Sequence, residues 1–176
     1  MKKLLIVVDM QNDFINGSLG TAEAMSIVNK VIEKIKGFDG RIVYTKDSHT
    51  EAYLNSREGK LLPIQHCRKG TDGWRLCPEI EKLFLDMQAD CIEKVGFGAC
   101  KLPDYINEKF PDGVDYVELV GLCTDACVLA NAMLVRTFFP ETEVVVDASC
   151  CAGITPQGHK TAIDAMRTCQ ITIINE

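Results

Sequence analysis

Short apolar runs rich in β-branched residues alternate with amphipathic segments along the chain. Leu4 to Val8 is continuous and apolar, the pattern of a strand buried on both faces, and it ends at Asp9. After the loop-like NGSLG, Thr21 can cap a helix. Ile27, Val28, Val31, Ile32 and Ile35 then recur at helical spacing, and Gly37 stops it. Further strands are predicted at Arg41–Thr45, Cys91–Lys94, Tyr116–Val120, Glu143–Asp147 and Gln170–Ile174. Helices are predicted between them, from Pro78 through Leu85, over Leu102–Phe110 and Ala130–Phe139, and from Pro156 to Arg167. This alternation predicts an α/β fold of three layers, a six-stranded, mainly parallel sheet with helices on both faces and right-handed crossovers. No break in composition divides residues 1–176, which are read as one domain.

Lys46 to Cys77 departs from the pattern, being polar and without sustained periodicity. A compact domain rarely carries so long a loop without a use for it. Two of the chain's three histidines lie there. Asp47 and His49 open the segment, His66 lies near its end and Glu58 stands between. Read alone, Asp-x-His is an ordinary solvated loop. Two histidines in one otherwise unexplained loop make Asp47, His49, His66 and Glu58 candidate metal ligands, whose nitrogen and oxygen donors suit Zn²⁺, Mn²⁺ or Fe²⁺. Trp74, the only tryptophan, is expected to pack this loop down, and His159 is read as solvated.

The stretch Gly121–Val128, GLCTDACV, follows the fourth strand and leads into an apolar helical segment. Such a turn delivers its side chains to the carboxyl edge of a sheet, where ligands bind in open α/β folds. With Asp125 or Thr124 as N-cap, Cys127 falls in the first helical turn, where free N–H groups favour thiolate over thiol and can hold an oxyanion. By itself Cys127 reads equally well as a buried structural cysteine. Asp9 and Lys94 also end predicted strands, and in a parallel sheet all three ends share one edge. There Cys127 can attack a carbonyl, Asp9 can take and return its proton, and Lys94 can pair with Asp9 and favour the thiolate. The bland alternative is a structural Asp9–Lys94 ion pair beside an inert thiol. Phe14 and Phe97 each follow a candidate catalytic residue closely enough to wall a planar substrate, although either could equally be core.

Composition narrows the field. Of 176 residues, 47% are hydrophobic and 25% charged, and the net charge of −6 argues against a nucleic-acid or anionic membrane surface. The apolar run in MKKLLIVVD ends after five residues, too short for a signal peptide core, and no stretch approaches membrane-spanning length. Nine cysteines with no secretory signal and no CxxC spacing suit a reducing, cytoplasmic setting, with Cys150 and Cys151 as core thiols.

Five markers occur in order: DMQNDF at 9–14, KDSH at 46–49, HCRKGTDGW at 66–74, Lys94, and GLCTDACV at 121–128. Together they resemble the isochorismatase-like cysteine hydrolases, and within them the nicotinamidases, essentially end to end. The resemblance implies a six-stranded parallel sheet and a catalytic triad of Asp9, Lys94 and Cys127. It also implies a cis peptide between Leu122 and Cys123, which would aim the N–H of Cys123, with that of Cys127, at the oxyanion. In the nicotinamidase branch it implies a divalent metal, most simply zinc, on Asp47, His49 and His66, with Glu58 added in some members. That metal would hold the pyridine nitrogen of nicotinamide. Tyr53 stands where a further histidine is frequent, and VGFGACKLPDY after Lys94 is shorter than usual. The implied reaction is hydrolysis of a small carboxamide, nicotinamide, through a Cys127 thioester, by a protein that relatives suggest is a homo-oligomer. Two alternatives stand beside it: an amidase or ureidohydrolase for another small substrate, and a non-catalytic relative that senses oxidants through its thiol.

Overall fold

A computed structural model describes residues 1–176. The strands are β1 (Lys3–Val8), β2 (Arg41–Asp47), β3 (Asp90–Lys94), β4 (Tyr116–Leu122), β5 (Glu143–Ala152) and β6 (Thr172–Ile174). The helices are α1 (Asn12–Ile15), α2 (Ala22–Gly37), α3 (Arg57–Leu61), α4 (Pro78–Met87), α5 (Leu102–Lys109), α6 (Leu129–Phe138) and α7 (Pro156–Thr168). The six strands form one sheet in the order β3-β2-β1-β4-β5-β6, and every pairing is parallel. The chain winds outward from β1 through β2 to β3, then returns to the other side of β1 at β4. The crevice beyond the carboxyl ends of β1 and β4 is therefore the topological switch point, where open α/β sheets place their ligands.

Strand periodicity divides the core between the two faces. Leu4, Ile6 and Val8 pack with Leu102, Ile106, Ala132, Ile163 and Met166 of α5, α6 and α7. Leu5 and Val7 point the other way, to Val31 and Ile35 of α2 and Ile80 and Phe84 of α4. Each such buried side chain contributes about 1.5–3 kcal/mol of transfer free energy. Thr21 caps α2 through Oγ1, which accepts the Ala24 N–H at 3.0 Å. No helix is long and apolar enough to cross a membrane.

The structure departs from the expected boundaries where charged residues sit inside strands. β5 does not end at Asp147 but continues through Cys150 and Cys151, because Lys34 of α2 places Nζ 2.8 Å from Asp147 and 2.6 Å from Glu118. β2 likewise runs past Thr45 to Asp47, so Asp47 ends a strand rather than opening a loop. The segment that follows is not featureless. It holds a 3₁₀ turn at Glu51–Asn55 and the short α3, each opened by a hydroxyl cap from Thr50 and Ser56. After β4, neither Thr124 nor Asp125 serves as N-cap. Cys123 takes that place, and its carbonyl accepts from the N–H groups of Ala126 and Val128 as residues Thr124–Val128 form one π-helical turn. Thr124 and Asp125 are engaged elsewhere: Thr124 Oγ1 shares a hydrogen bond of 2.8 Å with His159, and Asp125 Oδ1 accepts the Ile154 N–H at 3.0 Å. His159 is thus half-buried and bonded, not solvated.

Gly121 lets β4 approach β1 at this point. Its φ is +116°, and a Cβ there would lie 2.1 Å from the carbonyl oxygen of Val8. Gly121→Ala is expected to lower the unfolding free energy by more than about 2 kcal/mol in urea titrations. Gly37→Ala, at a helix end with open space around it, should change it by less than about 1 kcal/mol, in the stabilising direction.

Candidate active site

Three strands deliver the residues that converge at the switch point. Asp9 leaves β1 with φ +47°, a conformation that aspartate tolerates better than most residues, and is fully buried. Thr45 of β2 donates through Oγ1 to Asp9 Oδ1 at 2.6 Å. Lys94 ends β3 with Nζ 2.7 Å from Asp9 Oδ2, and it donates to the Gly96 carbonyl at 3.0 Å and to Cys127 Sγ at 3.3 Å. Cys127 comes from the π-helical turn after β4 and is itself buried. The Leu122–Cys123 peptide that begins this turn is cis. Asp9, Lys94 and Cys127 are therefore within one hydrogen-bonded group, as their strand-end positions predict.

The electrostatics differ from the sequence-based expectation of a ready thiolate. Burial pushes the Cys127 thiol well above its ordinary range, the Asp9 carboxylate pushes it further, and Lys94 opposes both. Burial also pushes Asp9 up against the pull of Lys94. Lys94 stays charged, since its neighbours Asp9 and Asp47 outweigh the burial that would lower it. A helix end acting on an exposed thiol would favour the anion. Here desolvation wins, and the resting group is a thiol, with Lys94 Nζ between it and Asp9. Proton transfer to Asp9 can accompany attack rather than precede it.

A second group lies beside the first. Donor atoms of Asp47, His49 and His66, all buried, lie within 4.8 Å of one another. Backbone pairing draws the two histidine-bearing stretches together: His49 N–H donates to the Cys67 carbonyl at 2.9 Å, and Lys69 N–H donates to that of His49 at 2.9 Å. His49 Nε2 is 2.9 Å and His66 Nε2 3.6 Å from Asp47 Oδ2. Glu58 stands apart at the rim, its Oε1 4.0 Å from His49 Nε2 and its side chain 27% exposed. Tyr53, at the position where a further histidine is frequent in the resembled proteins, packs its ring against both imidazoles, at 4.5 and 4.9 Å between centroids.

The donor set fits a divalent metal on three counts. Asp47 Oδ1 is buried without a hydrogen-bond partner, Lys94 Nζ standing 3.5 Å away, a state that a bound cation would relieve. His66 Nδ1 donates to the Ile64 carbonyl at 2.8 Å, which turns Nε2 toward Asp47, where a cation would take the place of its proton. Two imidazole nitrogens and one carboxylate oxygen match zinc better than calcium or magnesium. Burial pushes Asp47 up, but hydrogen bonds from His49 and His66 and the charge of Lys94 outweigh it and hold the carboxyl ionised.

Three residues that support these groups escaped the sequence reading as individuals, although all stand within or beside the quoted motifs. Gln11 is fully buried; its Nε2 donates to the Asp47 carbonyl at 2.8 Å and its Oε1 accepts the Asp47 N–H at 2.7 Å. Asp13 Oδ2 accepts the Cys67 N–H at 2.7 Å, next to His66. Thr45 supports Asp9, as described. The run of polar residues that follows β1 into α1 is the signal that could have marked Gln11 and Asp13. Trp74 does hold its loop: Nε1 donates to Ser48 Oγ at 2.7 Å, and Lys46 Nζ sits 3.1 Å from the ring centroid.

Between the two groups lies a cavity of about 100 Å³. Cys123, Cys127, Asp47 and His66 line its polar side. Phe14, buried and tilted against His66 at 5.6 Å between centroids, lines another. Phe97, 55% exposed, and Ile154 stand at the mouth. Phe14 is thus both core and wall, and Phe97 is wall alone.

The chain matches the family model described as Isochorismatase domain over residues 3–176. The isochorismatase family protein PncA of Bacillus subtilis is 31% identical over 174 residues, which cover 93% of each chain. A crystal structure of nicotinamidase/pyrazinamidase PncA from Bacillus subtilis aligns with a TM-score of 0.87 at 26% identity, covering 99% of this chain and 100% of that one. The pyrazinamidase of Pyrococcus horikoshii in complex with zinc aligns with a TM-score of 0.81 at 28% identity, covering 100% of both chains. With the six parallel strands and the match across nearly the whole length, these findings show that the chain belongs to the isochorismatase family.

Proposed function

We propose that this chain is a cysteine amidohydrolase, one domain acting on nicotinamide to release nicotinate and ammonia. The observation that carries the reading is the meeting of Lys94 Nζ with Asp9 at 2.7 Å and Cys127 Sγ at 3.3 Å, beside a small, mostly apolar cavity that touches Cys127, Asp47 and His66. A thiol, a base and a fixed cation make an acyl-transfer site, and the neighbouring donor set explains why a nitrogen heterocycle is the substrate. Support comes from relatives: the aligned structures are of a nicotinamidase/pyrazinamidase and of a pyrazinamidase in complex with zinc.

In the proposed cycle Cys127 Sγ attacks the carboxamide carbon while its proton passes to Asp9. The oxyanion that forms is held by the backbone N–H groups of Cys123 and Cys127. Asp9 returns the proton to the departing nitrogen, ammonia leaves, and a thioester remains on Cys127. Asp9 then takes a proton from a water that attacks the thioester, the C–S bond breaks to release the carboxylic acid, and Asp9 returns the proton to Cys127 Sγ. Lys94 stays charged throughout. It balances Asp9 before attack and the sulfur as negative charge develops there. Asp47, His49 and His66 would hold a zinc ion, with Glu58 at the rim beside them, and the ion would supply a Lewis-acidic position for the ring nitrogen. Phe14 and Phe97 confine the ring, so that the amide faces the thiol. All nine cysteines are unpaired, which supports a cytoplasmic setting.

Cys127→Ala is expected to reduce ammonia release from nicotinamide by more than about 10³-fold, with a thermal midpoint within a few degrees of the parent. Turnover near the parental level would remove the mechanism. Chelation followed by gel filtration should reduce kcat/KM by at least about tenfold, restored by added zinc in the parent and not in His49→Ala. Gln11→Ala, which frees the Asp47 backbone, should weaken zinc binding by about 10–100-fold in chelator competition.

A further inference from the structure

Asn131 lies one helical turn after Cys127, on α6, and is fully buried. Its hydrogen bonds leave the helix. Nδ2 donates to the Cys127 carbonyl at 2.8 Å and to the Phe97 carbonyl at 3.3 Å, and Oδ1 accepts the Ala99 N–H at 2.9 Å. One amide thus binds the backbone of the nucleophile and both sides of the loop that follows Lys94. That loop carries Phe97 at the cavity mouth, and Gly96, whose carbonyl accepts from Lys94 Nζ. It also runs hard against α6: a Cβ at Gly98 would lie 2.7 Å from Leu134 Cδ1.

From this geometry we infer that Asn131 is a positioning residue that latches the Phe97 loop to the Cys127 turn and so fixes the substrate ring relative to the attacking sulfur. Phe97 is more than half exposed, so packing alone does not hold it. Besides the close approach of Gly98 to Leu134, the loop is tied to its neighbours by polar contacts: the Phe97 carbonyl and the Ala99 N–H to Asn131, and the Gly96 carbonyl to Lys94. The amide shape is specific to the task, because two carbonyls need N–H donors while one N–H needs an acceptor. Aspartate keeps the acceptor and loses the donors. Leucine keeps the volume and loses both.

This inference rests on the proposed amidase reading, and its test separates the two. Release of ammonia from nicotinamide by the parent decides the reading itself. For the latch, Asn131→Ala should lower kcat/KM by about 10–100-fold in the parental background. In the Phe97→Ala background, where the wall is already lost, the same change should cost about threefold or less. Equal losses in the two backgrounds would overturn the proposal, since they would mean that Asn131 acts without Phe97. Amide hydrogen exchange supplies a readout that needs no substrate. Exchange at Ala99 should speed up at least tenfold in Asn131→Ala and in Asn131→Leu, with β1 and β4 amides unchanged. Unaltered protection at Ala99 would equally overturn it. Asn131→Asp should retain most of the Ala99 protection while losing activity, an outcome that a purely volume-filling role for Asn131 does not produce.

Discussion

One ammonium group organises the centre of this protein. Lys94 carries a full charge into a region where its side chain is only 2% exposed, within 2.7 Å of Asp9 and 3.5 Å of Asp47. Desolvating three charges is costly, and it is sustained only because each has partners of opposite sign or a hydrogen bond. Removing Lys94 would leave two buried carboxylates facing each other. Its position therefore constrains everything near it: where β3 must end, how β1 must turn at Asp9, and how close the Cys127 turn can come. The same cation reaches both halves of the site, touching the thiol directly and the donor set through Asp47.

The sheet explains why these groups can meet at all. Asp9, Asp47, Lys94 and Cys127 are far apart in sequence, yet each lies at or just beyond the carboxyl end of one of four adjacent parallel strands. Rigid neighbours hold those ends: the β1 side chains are almost fully buried on both faces, and Gly121 allows β4 to close on β1. The loops add what the strands lack. The 46–77 segment brings His49 and His66 together by backbone pairing and clamps Asp47 through Gln11. The 95–100 loop adds Phe97.

Much of this was legible before any coordinates, because it rests on local pattern. Apolar runs that end abruptly in Asp9 and Lys94 mark strand ends, and shared strand polarity then places both residues on one edge. The two histidines of an unexplained loop pointed to a donor set, which the fold gathers into Asp47, His49 and His66 while leaving Glu58 at the rim. What the sequence concealed depends on tertiary partners. Asp147 looked like a strand terminus because Lys34 on a distant helix could not be foreseen. His159 looked solvated for lack of Thr124. The thiol looked ready to ionise because helix position is visible in sequence and depth of burial is not; in the folded chain, burial dominates its proton affinity. Asn131 gave no signal at all, being a polar residue within a largely apolar helix whose loop partners, Phe97 and Ala99, precede it by 34 and 32 residues.

The account stands or falls on covalent chemistry at one of nine cysteines. Acid quenching during turnover of nicotinamide by the zinc-loaded protein, followed by peptide mapping, tests this most directly. The account predicts a nicotinoyl thioester on Cys127 and on no other cysteine, disappearing when substrate is exhausted. Sustained ammonia release with Cys127 unmodified throughout, or with the acyl group on a different residue, would contradict it.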